Sequence, residues 1–233
     1  MSNGQFILAK QIIWVLISLL LAVIVSCSSP SSFVPQDGGL CPFVYDPLRP
    51  SAEAEQIGLE MLGRQGPLLL ADAVYERVLR DLALIRGARP ELADQEHLGL
   101  WPPNRVVVGV ADGHTIMDLD EINTCYQAEP SHLFDRWYVL ELPAKLNVPR
   151  LATVYAALDS VSFASEDFIV GQENYWTPED RGGGMWRWTV DDGFYDCFDG
   201  CDCHTFYQFD VDEVGAVVLV ERSQGGAPYC IFP

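Results

Sequence analysis

Cys197, Cys201, Cys203 and His204 stand close together and are the residue types that hold zinc through thiolates and an imidazole. In an oxidising compartment the same thiols close into disulfides and leave the ligand set. Disulfides are the stronger reading here, with His204 at a strand end. Asp210, Asp212, Gly215 and Glu221 match several positions of an EF-hand calcium loop. Val214 occupies a ligand position, however, and the flanks read as strands, so a tight hairpin turn explains the same residues. Asp191, Asp192, Asp196, Asp199 and Asp202 crowd carboxylates that repel unless hydrated or neutralised, which leaves calcium as the one cofactor to weigh. Among His97, His114, His132 and His204, only His114, in Asp112-Gly113-His114 after a strand, sits where a hydrolase would place a base. Asp and Gly also end strands for conformational reasons alone. The chain has no Gly-x-Ser-x-Gly elbow, no His-Glu-x-x-His and no phosphate-cradling Gly-Lys-Ser/Thr. No catalytic residue and no metal ligand is assigned.

Cys27 carries a different chemistry. The apolar run Ile12–Val25, interrupted only by Ser18, follows Lys10 and ends in Ile24-Val25-Ser26-Cys27. The run suits a signal h-region and is shorter than the roughly 20 residues a membrane span needs. Those last four residues resemble the lipobox of bacterial lipoprotein signal peptides. The resemblance implies cleavage before Cys27, acylation of its thiol and amine, and a bilayer as partner. Ser28, with no aspartate after the cysteine, resembles the outer-membrane sorting pattern, which places the expected address at the outer membrane of the cell envelope.

Charge and cysteine count agree with export. A net charge of −19 over 233 residues argues against nucleic acid and against anionic lipid surfaces, both of which need a positive face. Acylation of Cys27 leaves Cys41, Cys125, Cys197, Cys201, Cys203 and Cys230, an even set for up to three disulfides. Cys197 and Cys201 are close enough to bridge within one loop. The remaining four could tie Cys41 or Cys125 to Cys203 and Cys230.

These residues need elements to position them. Residues 1–26 read as signal and 27–50, rich in Ser, Pro and Gly, as lipidated cysteine and linker. Residues 51–233 read as one α+β domain, helical over 51–99 and sheet-forming over 104–233. Ser51 caps a helix from Ala52 to Leu62. Leu70, Val74, Val78, Leu82 and Ile85 line one face of a second helix, from about Leu68 to Ile85. Strands are expected over Arg105–Ala111 and Trp137–Leu142, and a short helix over Asp118–Tyr126. Asn147 caps a helix from Val148 to Leu158, and Ser160–Val170 alternates as a strand, so Trp137–Val170 reads as a β-α-β unit. Asn174–Gly184 reads as a polar loop and Gly182–Gly184 as a strand entry. Trp186–Val190 is a strand turned by Asp192-Gly193, and Thr205–Val211 with Ala216–Glu221 forms a hairpin. The architecture expected is N-terminal helices on a mainly antiparallel sheet, with a disulfide-stapled C-terminal hairpin.

Trp186-Arg-Trp188, Asp196-Cys-Phe-Asp-Gly-Cys201 and Phe206-Tyr-Gln-Phe209 resemble a family of uncharacterised secreted bacterial proteins, in which a tryptophan strand precedes a Gly-Asp-Cys-Pro-x-Gly-Cys loop and an aromatic strand. Leu151–Ala164 resembles the helix-to-strand passage before that loop. The chain departs from the pattern with Tyr195 at the loop glycine, Phe198 at the proline and an extra Cys203. The β-α-β passage also resembles subtilisin propeptide inhibitors. The function expected is an envelope lipoprotein with a non-enzymatic binding or structural role. A protease-inhibitor-like module and a hydrolase centred on His114 are the alternatives. Trp176, Trp186, Trp188, Tyr195, Phe198, Phe206, Tyr207 and Phe209 make the later strands aromatic; those that are not core would form a face for a protein or glycan ligand. Replacing Cys27 by Ser is expected to block fatty-acid labelling and accumulate precursor, read by metabolic labelling; full acylation of the variant would contradict the assignment.

Overall fold

Ser51 opens the fold by accepting a hydrogen bond from the Ala54 amide (3.1 Å), which satisfies one of the helix's orphan donors. The computed structural model describes residues 49–168, 174–197 and 200–230. All of them lie in one compact unit, Leu40–Pro233. Cys27, Cys41, Phe198, Asp199, the signal and almost all of the linker lie outside the described residues. Among the described residues no helix is long and apolar enough to cross a membrane.

Helix α1 (Ala52–Leu62) has the expected bounds and α2 spans Asp72–Ala88. The second helix therefore starts later than its apolar stripe suggests. Leu68 and Leu70 turn their carbonyls outward instead, to the Asn147 amide (2.9 Å) and to the Arg49 guanidinium (2.7 Å). The segment between the two helices packs down on α1 at Gly58, where a Cβ would lie 2.7 Å from a Leu70 methyl. A 3-10 turn, Ile116–Leu119, leads into α3 (Asp120–Tyr126), and α4 spans Val148–Ala156 with the Asn147 side chain accepting from the Arg150 amide.

The strands form two antiparallel four-stranded sheets. The first contains β1 (Arg105–Val110), β2 (Glu129–Phe134), β3 (Trp137–Glu141) and β4 (Val161–Glu166), in the order β2-β3-β1-β4. Strands β3 and β4 each pair antiparallel to β1, so they run parallel to one another on its two sides. The β-α-β unit is thus present with β1 inserted between its strands. The second sheet runs β5 (Asn174–Gly182), β6 (Met185–Phe194), β7 (Cys203–Val211) and β8 (Val217–Gly226) in chain order.

Three sequence readings are corrected here. Asn174–Gly182 is a strand rather than a polar loop, because it buries Trp176 and pairs along its length with β6. Gly182, Gly183 and Gly184, all at positive φ, make the turn of that hairpin instead of a strand entry. Strand β6 runs through Asp192-Gly193 to Phe194, so the turn falls later. Strand β2, exposed throughout and holding Pro130, has no counterpart in the sequence reading.

A single apolar cluster joins both sheets and the helices. Ile57, Leu82 and Tyr155 from the helices meet Val108 and Leu140 from the first sheet and Trp176, Trp188 and Phe209 from the second. The Tyr155 hydroxyl donates to Asn123 (2.9 Å) inside this core, and burial pushes its pKa far up. Around the core run paired charges. Glu55, almost fully buried, accepts from Lys145 (2.6 Å) and Arg49 (3.2 Å). Asp81, fully buried, accepts from Arg77, Arg80 and the Trp188 indole. His97 accepts the Trp176 amide proton at Nδ1 (3.0 Å), so its Nε2 hydrogen faces Glu60 (2.9 Å), and the ring cross-links α1 to β5.

Cys197 bonds to Cys201 as expected, and Cys203 bonds to Cys230 rather than to Cys41 or Cys125. Cys125 is also in a disulfide, whose partner lies outside the described residues. The second bridge holds the C-terminal 3-10 turn (Pro228–Cys230) against the start of β7. There Gly226, at φ 110°, lies so close to the Asp202 carbonyl that no side chain fits.

Candidate binding face

With their sulfurs in disulfides, Cys197, Cys201 and Cys203 offer no thiolate to a metal. Beside them, His204 stacks on Phe206 (5.5 Å between centroids, 7° between planes). Its Nε2 donates to the Cys201 carbonyl (3.0 Å), and its Nδ1 lies 2.7 Å from the Asp191 carboxylate. His204 therefore clips the disulfide loop to β6. The neighbouring Asp192 accepts from Gln95 (2.7 Å), and burial raises its pKa.

Of the acidic residues weighed for calcium, Asp191, Asp192, Asp202, Asp210 and Asp212 are engaged by other groups. Arg187 grips Asp210 with two hydrogen bonds (2.8 and 2.9 Å) and holds its carboxyl below the usual range. Asp212 accepts from the Ala216 amide (2.8 Å) and closes the β7–β8 turn, while Glu221 lies on β8 opposite Gln208. Asp202 accepts from the Tyr229 hydroxyl (2.6 Å), a bond that raises the tyrosine's pKa. Among the described residues no three His, Cys, Asp or Glu side chains converge on a metal position. His114 is exposed, 3.3 Å from Asp118. The Asp118 carboxylate accepts chiefly from the Thr115 amide (2.8 Å), which lowers its pKa, and Thr115 and Asp118 form a capping box at the 3-10 turn.

The aromatics of the second sheet divide by face. Trp176, Trp188, Tyr207 and Phe209 are buried in the core, and Trp186, on the same face as Trp188, packs half-buried against it; Phe206 is half-buried on the opposite face and Tyr195 is exposed. A more exposed aromatic row lies on the first sheet, where the sequence reading placed none. Register sets Phe134 opposite Trp137, and Trp137 and Phe163 on either side of Gly109. With no side chain on Gly109, the Trp137 and Phe163 rings meet across it (4.9 Å), and Phe134 stacks on Trp137 from the other side (6.0 Å, 26°). Phe134 is 62% exposed and Phe163 44%. The next row on the same face is Ser131, Val139, Val107 and Ser165, and beyond it stand Glu129, Glu141 and Arg105. The face thus grades from aromatic to hydroxyl to charged. A signal for it exists in Leu133-Phe-Asp-Arg-Trp137, two aromatics flanking a polar pair, but Phe163 joins only through pairing of distant strands.

The chain matches no protein-family model, no curated protein and no solved structure.

Tyr195, at the position where the resembled loop pattern has glycine, has φ 69°, in the left-handed region that suits glycine. Its ring lies edge-on to Tyr229 (6.3 Å) and beside Phe194 (5.4 Å). Two variants separate ring from backbone, since both Tyr195→Ala and Tyr195→Gly delete the ring and only glycine relieves the strain. Denaturant unfolding is expected to find the glycine variant more stable by about 1 kcal/mol, the reverse of the usual order. An alanine variant of equal or greater stability would contradict the strain.

Proposed function

We propose that the chain is an envelope lipoprotein acylated at Cys27 whose domain is a non-enzymatic binding module, with the Phe134–Trp137–Phe163 row as a platform for a glycan chain. The observation that carries this reading is the exposed row of rings, flanked on the same face by Ser131 and Ser165 at the ends of the next row and by Glu129, Glu141 and Arg105 beyond it. Sugar rings present apolar C–H faces to aromatic rings and hydroxyls to polar neighbours, so one face can engage both. Exposed large apolar groups gathered on one face, not scattered singly, are the mark of a contact surface.

The cysteines support the anchoring half. All five described cysteines are in disulfides, as expected of a chain held in an oxidising compartment outside the cytosol. The stapled loop and aromatic strand β7 remain our reason for placing the chain beside the uncharacterised secreted proteins it resembles. For the hydrolase alternative, the carboxylate beside His114 is that of Asp118, which is engaged in capping an exposed turn, and this favours a structural part for the pair.

The test is retention of the full chain, in detergent, on insoluble chitin, cellulose and bacterial cell-wall glycan. Retention on at least one is expected, and Phe134→Ala should weaken it about tenfold, the equivalent of 1.4 kcal/mol, without a change in unfolding midpoint. No retention on any of the three, or equal retention of the variant, would overturn the platform.

A further inference from the structure

The four sheet edges differ in one respect. Strand β2 holds Pro130 and β5 holds Pro178, residues that interrupt the row of donors on an edge. Strand β4 is short, and its last residue, Glu166, is held by both carboxylate oxygens to Arg64 (2.8 and 2.9 Å). Strand β8 contains neither Pro nor Lys, and it bulges at Val220. Among the described residues it has a strand neighbour on one side only. Its apolar segment, Val217–Val220, is exposed at Val218 (58%), Leu219 (36%) and Val220 (46%). An exposed apolar edge segment of this kind templates the addition of another strand.

We propose that β8 pairs with β8 of a second copy of this chain, antiparallel and centred on Val218, to make one continuous eight-stranded sheet. A two-fold axis perpendicular to the sheet keeps side chains on their own faces, so a strand can pair with itself only about a residue. Centring on Glu221 opposes two carboxylates, and centring on Arg222 opposes two guanidiniums. Centring on Val218 sets Val217 against Leu219 at both ends, so the three residues of β8 paired within the strand are all apolar, and it brings Ala216, just before the strand, beside the bulged Val220. The same register brings Arg222 to the partner's β7–β8 turn, which carries Asp212 and Glu213, and the contact recurs by symmetry. Self-complementary shape and complementary charge at both ends select a second copy over an unrelated strand.

Opposed residues in an antiparallel pair lie about 5 Å apart at Cα, within reach of a disulfide. In the full chain, Val218→Cys is expected to give a covalent dimer on non-reducing gels, while Met117→Cys, an equally exposed site elsewhere, does not. Sedimentation should show a dimer for the parent chain and its loss in Val218→Lys, an exposed substitution that leaves the fold intact. A monomeric parent chain with cross-linking no greater than the Met117→Cys control would overturn the proposal. A Val218→Cys adduct with a protein of different mass would overturn the second copy as occupant.

Discussion

One buried carboxylate fastens the helical layer to the second sheet. Asp81 is fully buried and accepts from Arg77 (2.8 Å), Arg80 (3.1 Å) and the Trp188 indole (3.2 Å). Left alone in such a place, a carboxylate would cost several kcal/mol of lost hydration. The two guanidiniums offset that cost and then reach on. Arg77 donates to the carbonyls of Gly184 and Val211, and Arg80 to those of Glu213 and Asp212. Both hairpin turns at that end of the sheet are thereby held by one helix. Arg77 also covers the Trp186 ring (5.0 Å), which half-buries an indole that would otherwise add to the exposed aromatic surface.

Once that end is fixed, the alternation of β6 and β7 decides which aromatics are core. Trp188 and Phe209 turn inward, and Thr189, Gln208, Arg187 and Asp210 turn out, with the last two paired. The opposite end is held by other means, the two disulfides and the His204 clip. Arg187, Asp210, Thr189 and Gln208 make the middle of the second sheet's outward face polar, while the first sheet exposes the Phe134 and Phe163 rings. The proposed binding face and the proposed pairing edge lie on different sheets and make no competing demand on the same residues.

Elements set by local signals were legible in the sequence. Helix α1 is bounded by the Ser51 cap and Gly63, α4 begins at the Asn147 cap, and β1 is a β-branched run. Elements set by partners were not. Strand β5 reads as polar because its outward residues are Thr177, Glu179 and Arg181, and only pairing with β6 makes it a strand. Strand β2 owes its place to β3 alone. The Cys197–Cys201 bridge followed from proximity, whereas Cys203–Cys230 depends on the C-terminus returning to β7. The aromatic row escaped the sequence for the same reason, since Gly109, Trp137 and Phe163 are joined by register and by no local pattern.

The fastening at Asp81 is tested most directly by a double-mutant cycle with Arg77, followed by denaturant unfolding. Asp81→Ala is expected to cost about 4 kcal/mol by stranding the largely buried Arg77 guanidinium and the Trp188 indole, and Arg77→Ala nearly as much by weakening the hold on the buried carboxylate. Both changes together should cost well under the sum, a coupling of about 2 kcal/mol. Additive effects, with Asp81→Ala costing less than about 1 kcal/mol, would contradict the claim that this charge holds the helices to the sheet.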